Sequence, residues 1–278
     1  MEDKAFSSID LVGQCLIDEV RTNAFEKAIK NVVKKEHTVL DIGTGSGILA
    51  LFAAKSEAKK VYAIEFDSYV ANIAKSNFIG NGYENKINLI VDDARVAEFA
   101  SGIRFDVVIM EMLTTGMVDE FQVQAINNLY KQGVISDSTI FIPKIQETYI
   151  SLAEMNFKIY GFKMAMVKHL WNGLSQNQKY EIKSENKLLN TISFDKKNEE
   201  QFSATISINI LKSGIVNCVY ISSKTFLTDK IILEDTETLN SPVAVPIKEK
   251  HVNIGEEVKI EVSYIFGKGF QNFKAKIS

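Results

Sequence analysis

Short β-branched runs alternating with helical segments, a glycine turn between one such run and a helix, and a later change to period-two alternation predict two units. The first is a Rossmann-like α/β domain with a mostly parallel sheet, and the second is antiparallel and β-rich. The boundary falls at Pro143, giving residues 1–143 and 144–278.

Within the first unit the strand candidates are "TVLDI", "KVYAIE", "INLIV", "FDVVIM" and "STIFI". Segments such as Ser68–Asn81 and Val118–Tyr130 carry helical apolar spacing between them. Strands this apolar need cover on both faces of the sheet. From Lys144 onward "ATISINIL", "VNCVYISS", "VKIEVSYIF" and "FQNFKAKI" alternate with period two, near the turn-forming "KSG", "NIGEE" and "GKG". Such strands pack one face and leave the other to solvent. The low-apolar segment Asn172–Glu200 is compatible with a loop, an arm or an insertion.

The 278-residue chain is 46% apolar and 24% charged, with no apolar run long enough to cross a bilayer. Its opening, "MEDKAFSSID", is acidic and unlike a leader, so a cytoplasmic location without a membrane partner is expected. Cys15 and Cys218 stand apart as buried free thiols, and His37, His169 and His251 lack metal-binding spacing, so no metal is expected. Residues 1–143 carry 14 basic and 20 acidic groups, against 18 and 15 in residues 144–278. Only Arg21, Arg95 and Arg104 among the 32 basic residues are arginine, which gives a nucleic-acid partner little support.

The stretch "VLDIGTGSGILALFAAK", Val39 to Lys55, reads as strand, glycine turn and helix. That arrangement holds an adenosine-containing ligand at the carboxyl end of a parallel strand. Gly43, Gly45 and Gly47 alternate strictly, unlike G-x-G-x-x-G, and Asp41 precedes them. A carboxylate there would repel a pyrophosphate but pair with the α-ammonium of a methionine moiety. Glu65, ending "VYAIE", stands where an acid takes both hydroxyls of a ribose, and Asp93 in "LIVDDARV" where one accepts from the adenine amino group. Each acid alone could equally be a loop or capping residue. In this order they indicate S-adenosylmethionine (SAM), with S-adenosylhomocysteine as its product.

These motifs resemble the protein arginine methyltransferases, on the class I SAM-dependent methyltransferase fold, over most of the chain. The resemblance runs from "DEVRT" (Asp18–Thr22) through the glycine stretch to "KKVYAIE", then "FDVVIMEM" and "YGFKM", with a looser echo in "NIGEEVKIEV". It implies a barrel-like second domain, and an Arg21 that meets the methionine carboxylate. Family members pair head to tail through an arm, so a homodimer is a candidate. The resemblance also implies that the acceptor guanidinium is held between two glutamates nine residues apart, on a loop after the fourth strand. Glu111 and Glu120 have that spacing. A guanidinium is always protonated and a poor nucleophile, so two carboxylates are needed to hold its planar fork and draw its charge away from the attacking nitrogen.

The sequence departs from the family pattern at several positions. Met112 replaces a tryptophan, Thr114-Thr115 a Gly-Tyr pair, and Thr238-Leu239-Asn240 a Thr-His-Trp loop, while Phe6 alone falls at an aromatic position of the family's N-terminal helix. Beside the clamp stands a second account, in which Asp119 and Glu120 begin an amphipathic helix and complement its dipole. The expected function is methyl transfer from SAM to a protein or peptide arginine nitrogen. RNA or a small molecule as acceptor, and a SAM-binding protein without transferase activity, are the alternatives. "MEMLTTG" lacks the Asn/Asp-Pro-Pro-Tyr tetrad of amino-base methylation.

Overall fold

The structure, a computed structural model, describes residues 8–170, 179–236 and 238–277. Two helices, α1 (Ile9–Ile17) and α2 (Glu19–Val32), lead into β1 (Thr38–Ile42), α3 (Ile48–Lys55), β2 (Lys60–Glu65), α4 (Ser68–Gly80) and β3 (Ile87–Val91). β4 (Val107–Met110), α5 (Gln122–Gln132) and β5 (Ile140–Ile142) follow. The five strands form one parallel sheet in the order β3-β2-β1-β4-β5. β1 is the middle strand, so the glycine turn that follows it opens at the centre of the sheet's carboxyl edge.

Successive residues of β1 feed opposite layers, Leu40 and Ile42 into one apolar core and Val39 into the other. Both faces are covered, which explains why these strands carry so little polar sequence. Asp18 starts α2 by accepting the Arg21 backbone N–H at 3.1 Å, and Asp67 starts α4 by accepting that of Tyr69 at 2.8 Å. Gly47 caps the start of α3, and its φ of 87° lies in the left-handed region. A Cβ there would stand 2.5 Å from the ring of Phe78 on α4.

Helix α5 begins at Gln122, later than the expected Val118. A short 3-10 turn, Thr115–Met117, precedes it with Gly116 at φ 68° and Met117 at φ 54°, and this left-handed break ends helical geometry before Asp119 and Glu120. Those two acids therefore lie on the loop and not in the first turn of a helix.

The remaining chain is antiparallel. Its strands are β6 (Ile145–Met155), β7 (Lys158–Ile159), β8 (Phe162–Lys163), β9 (Lys168–His169), β10 (Tyr180–Ile182) and β11 (Lys187–Ser193). β12 (Gln201–Asn209), β13 (Gly214–Phe226), β14 (Ile232–Leu233), β15 (Val243–Val252), β16 (Glu257–Ile265) and β17 (Lys274–Ile277) complete it. One sheet runs β10-β6-β13-β15-β9, with β11 added on β6 and β14 on β13, and a second runs β12-β16-β17. β16 alternates buried and exposed positions as its period-two pattern requires.

Two strands carry no such signal. β15 contains Pro246, which lies opposite Cys218 where the register with β13 shifts. β6 is buried almost continuously over Ile150–Ala153. "FQNFKAKI" divides, with Phe270–Asn272 a 3-10 turn and Lys274–Ile277 the strand. Of the segment 172–200, residues 180–182 and 187–193 are strands paired to β6, whereas 172–178 lie outside the described residues, as does Phe6.

The two units share one apolar core, in which Met110, Met117 and Val123 of the first join Ile150, Ile221 and Phe266 of the second. Backbone bonds reinforce the junction, from Gly267 N–H to Met117 at 3.2 Å and from Gly269 N–H to Val118 at 2.9 Å. The β domain thus holds the loop after β4 directly.

Gly47→Ala is expected to lower unfolding free energy by about 1–3 kcal/mol, from overpacking against Phe78 and left-handed strain. Urea denaturation checks this, and a change below about 0.5 kcal/mol would refute it.

Candidate active site

The glycine turn is built by backbone bonds from β2. The N–H groups of Gly43 and Thr44 both donate to the Ile64 carbonyl at 3.0 Å, and Gly47 N–H closes onto Thr44 at 2.8 Å. Gly43 has φ 70°, and a Cβ there would come within 3.0 Å of Met112 Cγ. Glycine is needed both for the turn and for that approach. Glu65, at the end of β2, is buried and accepts the N–H groups of Gly45 at 2.9 Å and Asp67 at 3.0 Å. Burial pushes its carboxyl upward, and these backbone bonds pull against that.

Arg21 reaches the same cleft from α2. Its side chain is only 2% exposed, forms an ion pair with Glu111, and donates from Nη1 to the Thr238 carbonyl at 2.8 Å. Its Nε has no hydrogen-bond partner among the described residues, nor does Glu120 Oε2. Burial pushes the Glu120 carboxyl up to about 7, the positive charge of Arg21 opposes that, and Asp119 and Glu65 add to it. Glu111 and Glu120 therefore line one cleft together with Arg21, Gly43, Gly45 and Glu65.

Two sequence-derived candidates are not brought to its wall. Asp41 is fully buried behind the turn, with Thr44 Oγ1 donating to it at 2.6 Å, and burial raises its carboxyl to about 7 despite that bond. Asp93 is engaged by Arg95, whose Nε lies 2.9 Å from both carboxylate oxygens. Although partial burial pushes Asp93 upward, the bonds and charge of Arg95 outweigh it and hold the carboxyl below its ordinary value. Asp92 lines the cleft in its place, with Phe66 and Ala94.

Sequence reasoning also passed over the residues that attach the loop after β4 to the β domain. Gln146 Nε2 donates to the Thr114 carbonyl at 3.1 Å, Thr115 Oγ1 to the Ser241 carbonyl at 2.5 Å, and Gly116 N–H to Ser223 Oγ at 3.0 Å. Thr114 and Thr115, departures from the family pattern, are thus buried ties between loop and β domain.

The sequence profile of the ribosomal protein L11 methyltransferase (PrmA) family matches residues 22–179, more than half of the chain. The chain belongs to this family. It is a SAM-dependent methyltransferase of the class I fold. An uncharacterized protein of Methanocaldococcus jannaschii is 34% identical over 94% of both chains. Protein arginine N-methyltransferase 1.1 of Arabidopsis thaliana is 28% identical over 74% of this chain and 56% of its own length. Among solved structures, the Trypanosoma brucei PRMT1 enzyme-prozyme heterotetrameric complex with AdoHcy superimposes with a TM-score of 0.77 at 17% identity, covering 93% of this chain and 88% of that one. The expectation of an α/β methyltransferase domain joined to an antiparallel β domain is met.

The cleft of this PrmA-family member fits SAM in chemistry. Arg21 offers a cation for a carboxylate, Glu65 an acid for hydroxyl groups, and Phe66, Ile64 and Ala94 apolar walls for a purine. The cleft has a volume of about 150 Å³, and Val12, Cys15 and Leu16 of α1, a helix with no buried residue, are among its lining.

With its folded pKa raised, the Glu120 carboxyl favours the native state below its unfolded value, and that contribution is lost as pH rises toward 7. Relative to the parent, Glu120→Gln is expected to gain about 1–3 kcal/mol between pH 5 and pH 8. Urea midpoints at both pH values test this, and a difference that does not depend on pH would count against it.

Proposed function

We propose that the chain methylates an arginine nitrogen of a protein or peptide. The observation that carries the reading is the convergence of Glu111 and Glu120 on one cleft beside the glycine turn and Arg21. In it Glu111, steadied by Arg21, and Glu120 grip the two sides of the acceptor's planar guanidinium. Bound SAM supplies an electrophilic sulfonium methyl group. The acceptor nitrogen forms a bond to that carbon as the carbon–sulfur bond breaks, the bonding electrons leaving with sulfur. The nitrogen then sheds one proton. Glu120, whose carboxyl is raised to about 7, is suited to take it at neutral pH. Alignment and local charge supply the rest of the rate.

Glu111→Gln and Glu120→Gln are each expected to lower kcat about 100- to 1,000-fold, with affinity for S-adenosylhomocysteine preserved in Glu120→Gln, which leaves the Arg21–Glu111 pair intact. Acid hydrolysis of protein labelled from methyl-tritiated SAM should release methylarginine. Label in methyllysine or in RNA, or full activity in both variants, would refute the clamp.

We also propose that the chain self-associates through the β7–β8 hairpin. Tyr160 is 96% and Phe162 71% exposed there, and Met166 nearby is exposed too, a group of apolar side chains that a second copy would cover. Sedimentation should show a dimer at micromolar concentration that Tyr160→Ser with Phe162→Ser converts to monomer. A monomeric parent protein would dismiss it.

A further inference from the structure

Between Glu111 and Glu120 the chain reverses through two consecutive left-handed residues, Gly116 at φ 68° and Met117 at φ 54°. Met117 is buried and bears a side chain, so this conformation persists only where its surroundings impose it. The imposing groups come from the β domain. Ser223 Oγ accepts the Gly116 N–H at 3.0 Å, and the backbone N–H groups of Gly267 and Gly269 hold the carbonyls of Met117 and Val118. Ser223 is buried on β13, and its own N–H donates to Asp235 Oδ1 at 3.1 Å. One carboxylate oxygen thus fixes the serine, and the serine hydroxyl fixes the turn.

We propose that Ser223, held by Asp235, is a positioning residue for methyl transfer, fixing the left-handed turn that brings Glu111 and Glu120 to one acceptor. The inference rests on the two-carboxylate reading of the site. Neither residue touches the acceptor or the donor in this role. Both act through the backbone at Gly116, and loss of either bond lets the two carboxylates drift apart.

The experiment compares Ser223→Ala, Ser223→Thr, Asp235→Ala and Asp235→Asn, with Glu111→Gln as reference. SAM and a synthetic peptide with one arginine between glycines serve as substrates. Ser223→Ala should lower kcat about 10- to 100-fold, with unchanged calorimetric affinity for S-adenosylhomocysteine. Ser223→Thr keeps the hydroxyl and should recover most of the rate. Asp235→Asn keeps the accepting oxygen and should retain more activity than Asp235→Ala. Hydrogen exchange followed by NMR should be about tenfold faster at the Gly116 amide in Ser223→Ala, and near parental in Ser223→Thr.

Parental exchange at Gly116 in folded Ser223→Ala overturns the proposal. So does an unchanged kcat when Glu111→Gln is inactive. If Glu111→Gln stays active, or the peptide is not methylated by the parent protein, the arginine reading fails by itself. The exchange data then decide the positioning role.

Discussion

The buried pairing of Arg21 with Glu111 is the constraint from which the geometry of the cleft follows. An uncompensated charge at this depth is strongly destabilising, so neither partner can leave without the other being satisfied elsewhere. Three separate parts of the chain are therefore held in register: the start of α2, the loop after β4, and the 238–241 segment whose Thr238 carbonyl also receives Arg21. The same guanidinium opposes the effect of burial on Glu120. One cation thus fixes the position of one glutamate and tempers the effect of burial on the other.

The donor side of the cleft obeys a more local logic. Glu65 has two of its lone pairs taken by backbone N–H groups, one from the glycine turn and one from the approach to α4. Its orientation is settled before any ligand arrives, which is what a low-reorganisation site requires. Asp41 and Thr44 brace the same turn from behind. β1, β2 and their two connections thereby make a unit whose parts are close in sequence as well as in space.

That difference in range explains what was legible in the sequence. The five parallel strands, the glycine turn and Glu65 rest on local apolar runs and short spacings, and a single sequence displays them. Asp92 and Asp93 were separable in principle, because Arg95 two residues on is a ready partner for Asp93 and leaves Asp92 to the cleft. The late start of α5 was hidden because nothing in "TTGMVDEF" announces a left-handed methionine. The ties at Gln146, Ser223 and Ser241 join residues 32, 107 and 126 positions apart from the loop they hold. Only long-range packing creates them, and β15 was obscured by a proline that the register shift accommodates.

The 238–241 segment contributes main-chain atoms to the framework of the cleft. Thr238, Leu239 and Ser241 each hold their partners through main-chain carbonyls, on Arg21, the Thr115 N–H and the Thr115 hydroxyl. Carbonyl oxygens are the same in every amino acid, so these three bonds do not depend on side-chain identity, although the left-handed backbone at Leu239, φ 59°, disfavours β-branched residues there. Leu239 nevertheless lines the cleft. A change at that position to another residue that accepts the left-handed backbone, such as asparagine, would reshape the cleft wall while leaving the carbonyl bonds around the two glutamates in place.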